Sequence, residues 1–416
     1  MKGREYMKTI IGKHAEAKVF TDLLEDLAAE QIKKMTDHEI TKKTKVRIMP
    51  DVHAGKGSTV GTTIKLPDNF EDWKVSPNVV GVDVGCGILM YKLKDKNIDL
   101  EQLDDIVNRL IPAGFNVHGK PQDMDFTRES MEDLSFKIKG NRKLRVHQSL
   151  GTLGGGNHFI ELGIDENGDY WLSVHSGSRN LGVQVAGTHQ DIAVQRLKDS
   201  QVNMKAVIEQ LKAEGRHREI EATVAKLKAE TPTITKEMET LAYIEGEDLK
   251  NYLKDMDIAQ KYASASRAKM LDIIVEAMGF EVVDQFDSVH NFIEHDNFTN
   301  GVIRKGATSA KKGERLVIPL NMRDGSLICV GKGNEDWNNS APHGAGRMMS
   351  RTQARKELSV DDFKAQMSNI YSSSVGESTI DEAPDAYKPA KSIIEHIKPT
   401  ADILHVVKPV YNFKAH

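Results

Sequence analysis

Apolar residues recur at helical spacing in three stretches of this chain, and elsewhere they form short runs that empty into glycine-rich turns. Over residues 15–35, Val19, Leu23, Leu24, Leu27 and Ile32 alternate with charged residues before Thr36-Asp37, which predicts an amphipathic helix. Over residues 201–230, Met204, Val207, Ile208 and Leu211 follow i, i+3, i+4, i+7 spacing, and Ile220, Val224 and Leu227 follow i, i+4, i+7. Gly215 separates the two sets and Thr231-Pro232 closes the segment, predicting a charged helical hairpin that projects from the body. Such an arm is either solvated and without chemistry, or a contact for RNA or another partner. A further helical block, rich in Ala, Met and Leu, covers residues 249–277.

Strand-like runs sit elsewhere. Val46-Arg47-Ile48-Met49-Pro50 leads into Asp51-Val52-His53-Ala54-Gly55-Lys56-Gly57, and the same strand-then-glycine layout is expected over residues 78–87 and 170–177. Polar side chains exposed where strands end on glycine-permitted turns are a common way to build a site. No short-period repeat and no low-complexity linker interrupts the pattern, so one composite domain over residues 1–416 is expected, with 201–230 as a hairpin insertion.

Composition changes little. The 416 residues are 39% hydrophobic and 28% charged, ordinary for a soluble globular protein. No uncharged apolar run approaches the ~18 residues of a membrane span. The opening Met1-Lys2-Gly3-Arg4-Glu5-Tyr6 leads into no secretory h-region. Two cysteines, Cys86 and Cys329, do not make a disulfide framework; a reducing cytoplasm is expected, where Cys86 stays free to ligate metal. A formal charge of −4 gives no global attraction to nucleic acid, so any such binding must come from local basic patches.

The candidate chemistry lies in the glycine-rich segments. Asp83 and Cys86 stand three apart in Gly81-Val82-Asp83-Val84-Gly85-Cys86-Gly87, His158 follows three glycines in Gly154-Gly155-Gly156-Asn157-His158-Phe159, His175 opens His175-Ser176-Gly177-Ser178-Arg179, and His290 precedes Asn291. Carboxylate, thiolate and imidazole together suit a borderline divalent ion such as manganese or zinc. Taken singly, Cys86 also reads as a small core residue and each histidine as a satisfied structural one. His343, in Ala341-Pro342-His343-Gly344-Ala345-Gly346-Arg347, has no neighbouring acid or thiol. That setting suits a nucleophile: a neutral imidazole nitrogen attacks phosphorus to give a phosphoramidate, and Arg347 neutralises phosphate charge.

Five segments in order, Met49–Gly57, Gly81–Gly87, Leu153–Glu161, His175–Arg179 and His343–Arg347, closely resemble the RtcB family of GTP-dependent RNA ligases, which join an RNA 3′-phosphate or 2′,3′-cyclic phosphate to a 5′-hydroxyl. The resemblance runs from about residue 45 to the C-terminus. It implies an α+β fold, a single RtcB-type mixed α/β domain with a deep central cleft. It implies two Mn2+ ions, one held by Asp83, Cys86 and His158, the other by Cys86, His175 and His290, with the thiolate bridging. His343 would be guanylylated and Asp51 would orient it. The GTP site would be lined by Asn157, His158, Phe159, Ile160, Glu161, His290, Asn291, Asn321, Met322, Ser326, the run His343, Gly344, Ala345 and Gly346, and Lys414. RNA phosphates would meet Arg179 and Arg351.

The resemblance carries a monomeric enzyme acting on RNA ends in RNA repair or tRNA splicing, with no membrane and no implied activator protein. Two other functions fit the same residues: a manganese phosphoesterase that opens cyclic phosphates but ligates weakly, and a non-catalytic RNA-end binding protein. The chain departs from the family in three places, one of them the 201–230 hairpin, which is longer and more charged than is usual there. It reads Leu320-Asn321-Met322-Arg323-Asp324-Gly325-Ser326 where a Gly-Ser-Met-Gly turn is usual, and Ser266 stands before Arg267 where Asn is common.

Overall fold

A computed structural model of the protein describes residues 7–200, 204–230 and 233–415. In one sheet six strands lie in the order Lys8–Ile11, Glu16–Val19, Lys45–His53, Val60–Lys65, Thr299–Lys305 and Asn291–Asp296. In a second, seven strands lie in the order Arg315–Asn321, Gly325–Gly331, Ala401–Lys414, Phe159–Ile164, Tyr170–Ser176, Gly87–Leu93 and Val282–Val289. A small third sheet pairs Ala307–Ser309 with Ser340–Pro342.

Side chains alternate across the seven-stranded sheet, as the two-residue period of a strand requires. Ile88 and Met90 pack on one face with Phe159, Trp171, Val317 and Val407. Leu89, Tyr91 and Leu93 pack on the other with Leu103 and Val107 of the helix Leu100–Leu110 and with Met270, Leu271 and Ile274 of the helix Gly246–Met278. The six-stranded sheet buries Ala17, Val19, Val46 and Ile48 against Ala28, Ile32 and Met35 of the helix Asp26–Asp37. Each fully buried Ile or Met side chain contributes roughly 1.5–3 kcal/mol.

Two sequence expectations differ from the fold. The helix expected over 15–35 begins only at Asp26; before it, Glu16–Val19 is a strand running parallel to Lys45–His53, with Ala17 opposite Val46 and Val19 opposite Ile48. Ala17 and Val19 are buried while Glu16 and Lys18 are not, so a two-residue alternation is hidden inside an apparent helical one. The strand expected over 78–87 is also misplaced. Pro77 starts a single helical turn, Pro77–Val80, and the strand begins at Gly87. Between them Gly81 (φ +105°) and Gly85 (φ +71°) take backbone conformations that favour glycine, so Asp83 and Cys86 lie on the loop before the strand.

The block expected over 249–277 is the helix Gly246–Met278, ended by Gly279 in the left-handed conformation. Helices Met204–Ala213 and Ile220–Glu230 occupy the predicted hairpin, turning at Gly215 (φ +71°). Residues 201–203 at the start of that hairpin, the Thr231-Pro232 that follows it and the 1–6 opening lie outside the described residues. No helix among the described residues is long and apolar enough to cross a membrane. The shortest passage between the two large sheets among the described residues is at His290: Val282–Val289 ends in the seven-stranded sheet, Asn291–Asp296 opens the edge of the six-stranded one, and His290 alone lies between.

Candidate active site and metal centre

Strand register brings the scattered ligand types into a row. Phe159 pairs with His175, and Gly87 pairs with Ser176 on one side and Val289 on the other. His158, His175, Cys86 and His290 therefore sit at the same end of four adjacent strands. Arg267, fully buried on the long helix, fixes that end: its guanidinium donates to the Gly85 and Ser176 carbonyls at 2.8 Å each and pairs with Asp287 at 2.6 Å. The preceding Ser266 accepts the Gly151 N–H through Oγ at 2.9 Å, so its hydroxyl fastens the start of the 151–158 loop.

The side chains converge into two overlapping groups, Asp83 with Cys86 and His158, and Cys86 with His175 and His290. His158 Nε2 lies 3.0 Å from Asp83 Oδ2 and 3.5 Å from Cys86 Sγ. His175 Nε2 lies 3.3 Å from Cys86 Sγ and 3.1 Å from His290 Nε2. His158 Nδ1 donates to the Leu153 carbonyl at 2.9 Å and His175 Nδ1 to the Asn157 carbonyl at 3.2 Å, which leaves both Nε2 lone pairs facing the cluster.

The electrostatics of the cluster favour a cation. Burial, then the neighbouring imidazoles, holds His175 and His290 well below the usual imidazole pKa, so both are neutral. Burial and then the Asp83 charge push the Cys86 thiol well up. For Asp83, burial works against the charge, but the neighbouring His158 outweighs it and the pKa is lowered. Neutral nitrogens held this close, with a thiol whose ionisation is opposed, are the donor set that a divalent ion compensates. The residues fit two ions that share Cys86.

His343 adjoins the cluster, its ring centroid 4.8 Å from that of His290. Its Nδ1 lies 2.6 Å from Oδ2 of Asp51, a wholly buried carboxylate on the strand Lys45–His53. Lys388 reinforces that strand, donating through Nζ to the Leu23, Pro50 and Val52 carbonyls. Gly346 (φ +76°) permits the turn after His343; a Cβ there would stand 2.1 Å from the Asp51 carbonyl.

A cavity of about 770 Å3 opens over this assembly. Asp83, Cys86, His175 and His290 line it, as do Asn157, Phe159, Glu161 and Asn291. Asn321, Met322, His343, Gly344, Ala345, Gly346 and Lys414 complete the sequence-derived set on its wall. His158 and Asp51 stand behind the wall, touching Cys86 and His343 respectively. Ser326 reaches Glu161 at 3.5 Å. Ile160 is different: its side chain packs with Leu162, Leu172 and Val174 in the core behind the sheet, so only its backbone could face a ligand.

Over residues 31–415 the chain matches the model of the family described as "tRNA-splicing ligase RtcB". The chain belongs to the RtcB family. It is 29% identical over 399 aligned positions to the "RNA-splicing ligase RtcB" of Escherichia coli K12, covering 88% of each chain. It is 26% identical over 434 positions to the "tRNA-splicing ligase RtcB" of Nanoarchaeum equitans, covering 83% of each, and 25% identical over 425 positions to that of Aeropyrum pernix, covering 82% of this chain and 81% of the relative.

Within this RtcB-family chain the far end of the cavity is a buried ion network whose cations sequence reasoning singled out and whose carboxylate it missed. Lys414 Nζ lies 2.5 Å from Glu382, which also pairs with Arg347 at 3.1 Å and Arg351 at 2.8 Å and accepts the Tyr387 hydroxyl at 2.6 Å. Burial opposes the Glu382 charge, but Lys414 and Arg351 outweigh it and hold the carboxyl down at about 2. At Glu161 burial prevails over its neighbours, Lys414 and Ser326 among them. Burial raises it to about 7, although Asn412 donates to it at 2.8 Å.

Arg351, expected to meet RNA, is engaged by Asp381 and Glu382, and Arg179 donates to Thr152 Oγ1 at 3.1 Å and the Gly114 carbonyl at 3.0 Å. In the divergent 320–326 loop, Asn321 Oδ1 accepts the Arg323 and Asp324 N–H groups at 3.0 and 2.8 Å. Arg323 pairs outward with Asp324 and Gln366, and neither charged residue is among those that line the cavity.

Proposed function

We propose that this chain is an RNA ligase that joins RNA 3′-phosphate or 2′,3′-cyclic phosphate ends to 5′-hydroxyl ends through a guanylylated His343. Membership of a family of RNA ligases supports the general activity. The observation that carries the finer reading is the placement of His343 between a buried carboxylate and the Cys/His cluster.

Asp51 takes the Nδ1–H of His343, so the lone pair stands on Nε2 and faces the cavity. That nitrogen attacks the α-phosphorus of GTP; an N–P bond forms, the bond to the β-phosphate oxygen breaks, and pyrophosphate leaves. The positive charge that develops on the imidazole is balanced by Asp51. An oxygen of the RNA 3′-phosphate then attacks the same phosphorus, the N–P bond breaks, and the guanylate passes to the RNA. Finally the RNA 5′-hydroxyl attacks the activated 3′-phosphate, its proton is lost, and GMP departs. A cyclic end takes up water first to become a 3′-monophosphate.

Asp83, Cys86 and His158 would hold one Mn2+ and Cys86, His175 and His290 a second, which when bound polarise phosphoryl oxygens and stabilise charge on them. Lys414, seated on Glu382 beside Phe159, would meet the guanine carbonyl, and Glu161 its N–H edge. Incubation with GTP labelled at the α-phosphate, in the presence of manganese, tests the reading. An acid-labile, alkali-stable protein label is expected, lost in His343→Ala; absence of label in the metal-loaded wild type overturns the histidine route and leaves cyclic-phosphate opening or RNA-end binding.

A further inference from the structure

Phe115 is the most exposed large hydrophobic residue of the described chain, with 93% of its surface open to solvent. It does not sit on a loose tip. Its loop is stitched to the glycine segment ahead of His158: Leu153 N–H donates to the Pro112 carbonyl at 2.9 Å, Gly114 N–H donates to the Gly154 carbonyl at 2.9 Å, and Arg179 holds the Gly114 carbonyl. On the other side Arg145 donates to the Phe115 carbonyl at 2.6 Å. Arg145 closes the run Lys137-Ile138-Lys139-Gly140-Asn141-Arg142-Lys143-Leu144-Arg145, which carries five cationic residues and no carboxylate in a chain of net charge −4.

Lys137, Lys139, Arg142 and Lys143 are exposed, and among the described residues none of the five cations is paired with a carboxylate. Elsewhere on this surface Lys and Arg are commonly paired, as Lys94 is with Glu281 and Lys332 with Asp402. An aromatic face held on a loop bonded to the glycine segment ahead of His158, and joined through Arg145 to a strip of cations without carboxylate partners among the described residues, matches what a flexible polyanion of stacked bases offers.

We propose that Phe115 and the 137–145 strip form a track for single-stranded RNA leading to the active site, with a base stacked on the Phe115 ring and phosphates on Lys137, Lys139, Arg142 and Lys143. The proposal rests on the ligase reading above and assigns the RNA a place outside the catalytic cavity. Neither Phe115 nor any residue of the strip is among those that line the cavity.

The test uses the full chain and a ten-nucleotide single-stranded RNA with a 5′-hydroxyl and a 3′-phosphate, carrying an internal fluorophore, with binding followed by fluorescence anisotropy without GTP. Phe115→Ala should weaken binding about tenfold or more, and Phe115→Trp should restore it, since stacking on aromatic rings is sequence-tolerant and favours Trp as well as Phe. Arg142→Gln with Lys143→Gln should weaken binding and lower the slope of log affinity against log salt by about 1.4, two phosphate contacts' worth on a single strand. Labelling of His343 by GTP should stay at the wild-type level in all three. Wild-type affinity in both Phe115→Ala and the double variant overturns the track. Failure of wild-type labelling removes the histidine route, and the anisotropy measurement still decides the track.

Discussion

Oδ2 of Asp51 accepts both the Nδ1–H of His343, at 2.6 Å, and its backbone N–H, at 3.1 Å. One buried carboxylate oxygen therefore sets the ring's tautomer and its main-chain position together. The other oxygen, Oδ1, has no hydrogen-bond partner among the described residues, so Asp51 is directed wholly at His343. Asp51→Asn keeps the shape but can turn its amide towards Nδ1 and invert the tautomer. The first-order rate of GTP-dependent protein labelling should fall about 10²–10⁴-fold, while metal content stays unchanged. A labelling rate within threefold of wild type would remove Asp51 from the mechanism.

Cys86 is common to both candidate ligand groups. Cys86→Ala should therefore lower bound manganese from two ions per chain towards none, whereas His175→Ala or Asp83→Ala should each leave about one ion bound. Elemental analysis after dialysis measures this directly, and thermal melting with and without chelator supplies a second readout because an ion that binds only the folded chain stabilises it. Equal losses in all three variants would show that the thiolate has no special share.

The charge of Glu382 is held by Lys414 and Arg351, and its carboxyl sits at about 2 against an ordinary value of 4.5. A depressed carboxyl contributes stability that is complete above the ordinary value and lost as pH falls through the depressed one. Denaturant titrations should therefore show stability declining between about pH 4.5 and pH 2, with a shallower decline in Glu382→Gln. At neutral pH Glu382→Ala leaves Lys414 buried without its carboxylate and should cost about 3–5 kcal/mol, with a raised KM for GTP if the fold survives.

Glu161 gives the opposite sign. Burial raises its carboxyl from 4.5 to about 7, so the folded chain binds more protons than the unfolded one between those values, and stability contributed there falls as pH rises from 4.5 to 7. Glu161→Gln removes the buried charge and should raise the melting temperature at pH 8 relative to wild type but not at pH 4. Because the proposed role needs an anionic acceptor for the guanine N–H edge, the same variant should bind GTP about tenfold or more weakly, one charged hydrogen bond's worth. Unchanged GTP affinity would exclude that contact.

Much of the site is legible in the sequence because glycine marks it. Asp83, Cys86, His158 and His343 each stand within two residues of a glycine with positive φ or at its turn, and such turns are written locally in the chain. The helix Gly246–Met278 is likewise legible from its composition and length. What escapes depends on partners far away in sequence. Glu382 is an ordinary acid until Lys414, Arg347 and Arg351 fold around it, and Arg267 an ordinary helix residue until the Gly85 and Ser176 carbonyls meet it. Glu16–Val19 is hidden for a related reason: four residues whose strand identity comes from pairing with Lys45–His53 carry too little local pattern to declare it.

His290 is where the backbone leaves one large sheet and joins the other. The cluster of Cys86, His158 and His175 is anchored to the seven-stranded sheet, and Asp51 to the six-stranded one. The gap between His343 and the Cys86 cluster is therefore a seam between two walls, bridged at its shortest backbone crossing by His290. A substitution deep in either wall can widen that seam without disturbing the ligands on one side or the Asp51–His343 pair on the other. Loss of activity with full metal content and an intact nucleophile is the signature such distant lesions would leave.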